Sequence, residues 1–304
     1  MTVMENVFVP RLAKDAPAVY KNWFKSTQPV AAVGKGAKKR TAHYDPQAHR
    51  IKIPNKKDQE TFVTWAHELG HAVDMNGRDA NSAANFSARL SSALAADSKN
   101  TPGRFATLPD TPNPVKVRKF AVLDDAFSDD LGAFDHAKAS KKFTAEWPAA
   151  AVDEFDALKI PAKAKLDFAA DWEAGNWEQA IKGIKQPTTL SRLDLSFGRT
   201  AGGAAEIARI DRFEAMLDKL SDAIESATFY RRAGHANGLS GHGEKYSRKF
   251  GRHSDNVRVA TTIEFFANAY AAHTVEGWPL YAHLLELAAP KSTAAFREIA
   301  EEFV

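Results

Sequence analysis

"TWAHELGHAVD" (Thr64–Asp74) carries two histidines, His67 and His71, with Glu68 between them in an otherwise apolar setting. Around them Phe62, Ala66, Leu69 and Val73 recur at spacings of 4, 3 and 4, which predicts a helix with one core-facing stripe. Asn55 or Asp58 can cap its start, and Gly77 lies just past its end. Positions i and i+4 of a helix stand one above the other, so His67 and His71 can present two imidazoles to one tetrahedral ion. Glu68 is turned away by about 100° and would stand beside such an ion rather than on it. Buried His and Glu side chains are costly without a partner, so the stretch reads as part of a metal site. Gly70 and Leu69, between the ligands, allow close packing of the helix.

The 304 residues include no cysteine, which excludes disulfides, thiolate ligands and a cysteine nucleophile. Any metal must be held by His, Asp and Glu. No apolar run reaches the roughly 18 residues of a membrane-spanning helix, and "MTVMENVFVPRLAKD" has no basic segment followed by an apolar one, so neither membrane span nor signal peptide is expected. A net charge of +3 is too small to argue for nucleic acid. The basic runs "KGAKKR" (Lys35–Arg40) and "YSRKFGR" (Tyr246–Arg252) read as solvated loops, and nucleic acid is the weakest of the partners considered.

Residues 1–40 read as an N-terminal arm with one helix-like piece, "APAVYKNWFKS". Residues 41–78 hold a turn at Asp45-Pro46, an alternating strand from Arg50 to Ile53, and the histidine helix. Residues 79–203 read as mainly helical, with a proline-rich loop at "TPGRFATLPDTPNPV", two short helices around Gly175-Asn176, and a glycine-rich linker at Phe197–Gly203. From about Ala204 to Thr228, Ile207, Ile210, Phe213, Leu217, Leu220 and Ile224 form a continuous apolar seam. A polar loop, Arg231–Asp255, precedes the helical "NVRVATTIEFFANAYAAH", and two more helices divided by Pro290 end the chain. The fold class expected is α+β, mostly helical, with a small β-sheet and a large helical insertion.

Two histidines leave a catalytic zinc site one protein ligand short. A metzincin-type extension would need Gly and His where the chain has Asp74 and Gly77, so that arrangement fails. The alternative is a carboxylate from a separate helix, and Glu264, inside apolar "TTIEFFANAY", is the best candidate. Asp222, His235, His242 and His253 are the rivals. Asn268, one turn beyond Glu264, can accept from a ligand imidazole and fix its tautomer; Asp74 can do the same from the first helix. Tyr246 is the candidate phenol for a substrate oxyanion, with His242 its competitor. In this scheme zinc polarises the scissile carbonyl and activates a water whose proton Glu68 takes as general base.

"HELGHAVD" followed by "IEFFANAY" resembles the zincin peptidases of the anthrax lethal factor type, and still more the peptidase-type domains of phage minor head and virion proteins. The strand "HRIKIP", the "LSDAI" helix end and the "GHGEKY" loop occur here in the order those domains show. The resemblance covers about residues 40–75 and 215–300 and implies a zincin fold, Zn2+ on His67, His71 and Glu264, and Glu68 as base. The lethal-factor type carries a catalytic tyrosine about two turns before the last ligand, where this chain has Val257; Tyr246 would substitute for it. The implied partners are protein or peptide substrates, phage virion proteins among them, and the implied location is host cytoplasm or virion.

Two functions follow as expectations. One is a zinc metalloendopeptidase, with "RIKIP" as the edge strand that pairs with an extended substrate. The other is a virion-associated structural or interaction protein that keeps a zincin fold with a structural or vestigial zinc. An intact Glu68 favours the first, because a structural site needs no base.

Overall fold

The computed structural model describes residues 30–32, 42–48, 50–52, 63–76, 85–100, 135–198, 201–229, 254–274 and 278–301. Short strands β1 (Val30–Ala32), β2 (His43–Asp45) and β3 (Arg50–Lys52) form one sheet in the order β1-β3-β2. The turn signal at Asp45-Pro46 acts as expected: Asp45 Oδ1 accepts from the Ala48 N–H at 3.2 Å, and Asp45 Oδ2 pairs with Lys52 Nζ at 2.9 Å across the hairpin. Tyr44 pairs with Ile51, and both are buried. β1 pairs in parallel with the other side of β3. The segment read as an arm thus supplies a strand. β3 is the central strand, paired on both sides, so its backbone has no edge to offer a substrate. The edges belong to β1 and β2. The helix-like piece at 16–26 and both basic runs lie outside the described residues.

The histidine stretch is helix α1 (Val63–Asn76). It is more deeply placed than one apolar stripe implies. Val63, Trp65, Ala66, Leu69, Ala72 and Val73 are all buried, and so are Thr64, His67, Glu68 and Asp74. A helix buried nearly all round sits inside a domain rather than on its surface. The 3₁₀ turn Phe86–Leu90 leads into α2 (Ser91–Asn100).

The middle of the chain is helical, as expected: α3 (His136–Phe143), α4 (Ala149–Asp156), α5 (Ala162–Glu173) and α6 (Trp177–Phe197). Gly175, at φ 70, makes the turn between α5 and α6 where a side chain would be strained. α6 is not short; it runs 21 residues through Pro187. The glycine-rich linker also shrinks, because α7 (Ala201–Phe229) begins inside it. The core of this helical middle segment is aromatic, with Phe155, Phe168 and Phe213 in mutual ring contact and Trp172 stacked on Phe168. Phe213 belongs to the α7 seam, of which Ile210, Leu217, Leu220 and Ile224 are also buried. These middle helices therefore share their core with α7.

α8 (Ser254–Thr274), α9 (Pro279–Ala288) and α10 (Pro290–Glu301) complete the described chain. Asp97 of α2 reaches across to the start of α10, accepting from the Ser292 N–H and hydroxyl at 2.7 Å each and from the Lys291 N–H at 3.2 Å. That satisfies N–H groups a helix start leaves orphaned.

The packing that positions the site is α1 against α8. A Cβ built on Gly70 would lie 2.7 Å from Ala267 Cα and 3.1 Å from both Ala267 O and Tyr270 Cβ. The obstacle is backbone, which cannot rotate away, so glycine sets how closely the helices approach. Gly70→Ala is expected to destabilise the fold by about 1–3 kcal/mol and to weaken any metal binding by the candidate residues His67, His71 and Glu264, because it forces α1 and α8 apart. Chemical denaturation and a zinc titration read both effects; an alanine variant with unchanged stability and affinity would contradict the close approach.

Candidate metal centre

His67 and His71 come from α1 and Glu264 from α8, and among the described residues they form a group able to hold a metal ion. His67 Nε2 lies 3.2 Å from His71 Nε2 and 3.4 Å from Glu264 Oε2, and His71 Nε2 lies 3.5 Å from the same oxygen. Tetrahedral zinc with bonds near 2.0–2.2 Å requires donor-to-donor separations of about 3.3–3.6 Å. The three atoms lie within about 0.1 Å of the spacing of one face of that tetrahedron. Charge-assisted hydrogen bonds are shorter, about 2.7–2.9 Å, so an ion pair alone would draw the carboxylate closer. Two nitrogens and a carboxylate oxygen are also a donor set zinc accepts, so the residues fit the ion.

The polar atoms behind this face set its electronics. His67 Nδ1–H donates to Asn268 Oδ1 at 2.9 Å, and Asn268 Nδ2 donates to Asp222 Oδ2 at 3.2 Å. With its proton on Nδ1, His67 turns the Nε2 lone pair toward the other donors. Burial pushes the His67 pKa down, and the Lys219 charge pushes the same way, which keeps the imidazole neutral. His71 differs. Burial would lower its pKa, but the Glu264 carboxylate together with the Glu68 charge outweighs that and holds it above its ordinary value. In the metal-free chain the Glu264 carboxylate thus favours a proton on His71, whose Nε2 faces His67 Nε2 at 3.2 Å.

Glu68 is buried beside this face, with 4% of its surface exposed, and its charge acts on both imidazoles. It is not one of the three grouped donors. Of those three, His71 has the most exposed side chain, at 12% against 1% for His67 and 7% for Glu264. Among the described residues, solvent reaches the cluster from the His71 side.

Asp74 does not serve an imidazole. Its Oδ1 accepts from the Ser87 N–H at 2.7 Å, in the first turn of the 3₁₀ segment, where Asn85 makes no side-chain cap bond. A start left without its own cap borrows one from α1. Asp222 is not a ligand either; it stands one residue behind, holding Asn268. Sequence reasoning weighed Asp222 only as a rival ligand and missed Lys219, one turn earlier on α7. The available signal was an acid inside the apolar seam of α7, a position that calls for a buried partner. Tyr246, His235, His242 and His253 lie outside the described residues.

Comparison of the chain with family models, with curated proteins and with solved structures finds no match.

The Asp74 carboxyl, fully buried, is raised from 3.8 to about 6, chiefly by desolvation. A folded-state pKa above the unfolded one means stability falls as pH rises through that window and the penalty is complete above it. At 1.36 kcal/mol per unit, the shift from 3.8 to about 6 amounts to at most about 3 kcal/mol. Asp74→Asn keeps an acceptor for Ser87 and removes the charge. In metal-free protein it is expected to be more stable than the parent above pH 6 by about 1–3 kcal/mol, with the advantage gone below pH 3.8. Denaturant titrations at the two pH extremes check this; an advantage that grows on acidification would contradict it.

Proposed function

We propose that the protein is a zinc-dependent peptidase with a zincin-like arrangement, in which His67, His71 and Glu264 hold the ion and Glu68 is the general base. The observation that carries this reading is the triangle of donor atoms at 3.2, 3.4 and 3.5 Å with a second, buried carboxylate, Glu68, whose charge acts on both imidazoles. Three protein ligands leave a tetrahedral position open, which distinguishes a reactive site from a closed structural one. When bound, zinc would supply Lewis-acid polarisation of a carbonyl and acidification of a water.

The remaining chemistry belongs to the chain. His67 offers Nε2 because Asn268 holds its other proton. His71 must offer an unprotonated Nε2 to ligate, while the Glu264 charge favours its proton, so zinc loading is expected to weaken as pH falls. In this reading Glu68 accepts a proton from the attacking water and returns it to the departing amine nitrogen. Its burial in an apolar helix keeps bulk water from competing for that proton. The substrate class is an extended peptide or protein segment, which the resemblance to zincin peptidases, including those of phage head and virion proteins, also implies.

The test is zinc-dependent cleavage of a labelled, denatured protein and of a mixed peptide library. Hydrolysis that stops on chelation and returns with added zinc is the expected result. A chain loaded with one zinc that cleaves neither substrate would contradict the peptidase reading and support a structural role for the ion.

A further inference from the structure

The chain His67–Asn268–Asp222 links three helices through fully or almost fully buried side chains: Asn268 has no exposed surface, His67 is 1% and Asp222 4% exposed. Its middle member is an amide, which makes the arrangement reversible in principle. A carboxamide has nearly the same shape when turned by a half rotation, but donor and acceptor change places. Turned one way, Asn268 accepts from His67 Nδ1–H. Turned the other, its NH₂ faces His67, which must then offer the Nδ1 lone pair and carry its proton on Nε2. That proton would occupy the atom pointed at His71 and Glu264. Nothing within the Asn268 side chain chooses between these states.

We propose that Asp222 makes the choice and is thereby the positioning residue of the site. An ionised carboxylate only accepts. With Asp222 Oδ2 at 3.2 Å, the NH₂ of Asn268 is committed to α7 and its oxygen to His67 at 2.9 Å. The opposite orientation would set the amide oxygen against the carboxylate and leave a buried NH₂ facing an imidazole N–H. The relay also places the negative charge one residue away from the imidazole, and Lys219, one turn earlier on the same helix, acts on both His67 and His71 with the opposite sign. α7 thus acts on His67 through a residue of α8. The purpose of presenting Nε2 rests on the zinc reading; the orientation itself does not.

The test separates the two. In metal-free, ¹⁵N-labelled protein above neutral pH, imidazole nitrogen shifts report which nitrogen of His67 is protonated. Wild type is expected to show Nδ1–H, with the Asn268 side-chain amide protected from hydrogen exchange. Asp222→Asn, able to donate or accept, is expected to admit the Nε2–H tautomer and to weaken zinc affinity by about 10–100-fold, as loss of an outer hydrogen-bond partner does. The exchanged pair Asp222→Asn with Asn268→Asp, in which a carboxylate faces His67 directly, is expected to restore Nδ1–H and most of the affinity. An Asp222→Asn protein with unchanged tautomer and affinity overturns the proposal. If that variant does not fold, wild type still decides: His67 as Nε2–H, or a freely exchanging Asn268 amide, overturns it. If wild type binds no zinc, the zinc reading fails, and the tautomer still tests the relay.

Discussion

Glu68→Gln is expected to lower peptide hydrolysis by roughly 10²–10⁴-fold, the usual contribution of a positioned general base, while zinc stays bound. The substitution keeps shape and volume and removes the ability to take a proton. Glu68 lies beside the three donor atoms and outside their group, so its loss leaves the ion's protein ligands intact. It is also buried, and glutamine fills the same space, so the variant is expected to fold. The measurement is a rate on the same peptide with zinc content determined on the same sample. A glutamine variant retaining more than about a tenth of the parental rate, well above what loss of a base permits, would remove Glu68 from the mechanism. Loss of zinc along with activity would make it a ligand.

Glu264→Gln carries the second large effect, on binding rather than rate. Structural zinc sites bind with apparent free energies of about 10–16 kcal/mol, or roughly 3 kcal/mol for each of four ligands. Loss of one ligand therefore weakens affinity by about two powers of ten. Glutamine preserves the packing of α8 against α1 but replaces an anionic oxygen with a neutral one. It also removes the charge that holds the His71 pKa up, so His71 should titrate lower in metal-free protein. Unchanged zinc affinity in this variant would mean that the ion lies elsewhere.

Much of the site was legible because its logic is local. The spacing of His67 and His71 is helix geometry, and the same geometry set Asn268 one turn from Glu264, where it does meet His67. Glu264 itself stood out through its apolar neighbours, since a carboxylate on a buried face needs a reason to be there. The sheet was less legible. The strand at Arg50–Lys52 announced itself by alternation, but alternation says which face is buried, not which neighbours flank it, and β1 turns it into a central strand. Asp74 shows the same limit in a side chain. Its position three residues after His71 suggested an imidazole partner, yet an uncapped turn outside α1 claimed it. Asp222 could be recognised as a buried acid in a helical seam, but not that an amide from another helix would stand between it and the histidine. Partners reached through tertiary packing leave no spacing in the sequence to read.

Zinc titration of metal-free protein, with bound metal counted per chain and competed against a chelator of known affinity, tests the central claim most directly. One zinc per wild-type chain, weakened by about two powers of ten in Glu264→Gln and lost in the double variant His67→Ala/His71→Ala, is the predicted result. A wild-type chain that takes up no zinc, or one whose zinc survives those replacements undiminished, would contradict it.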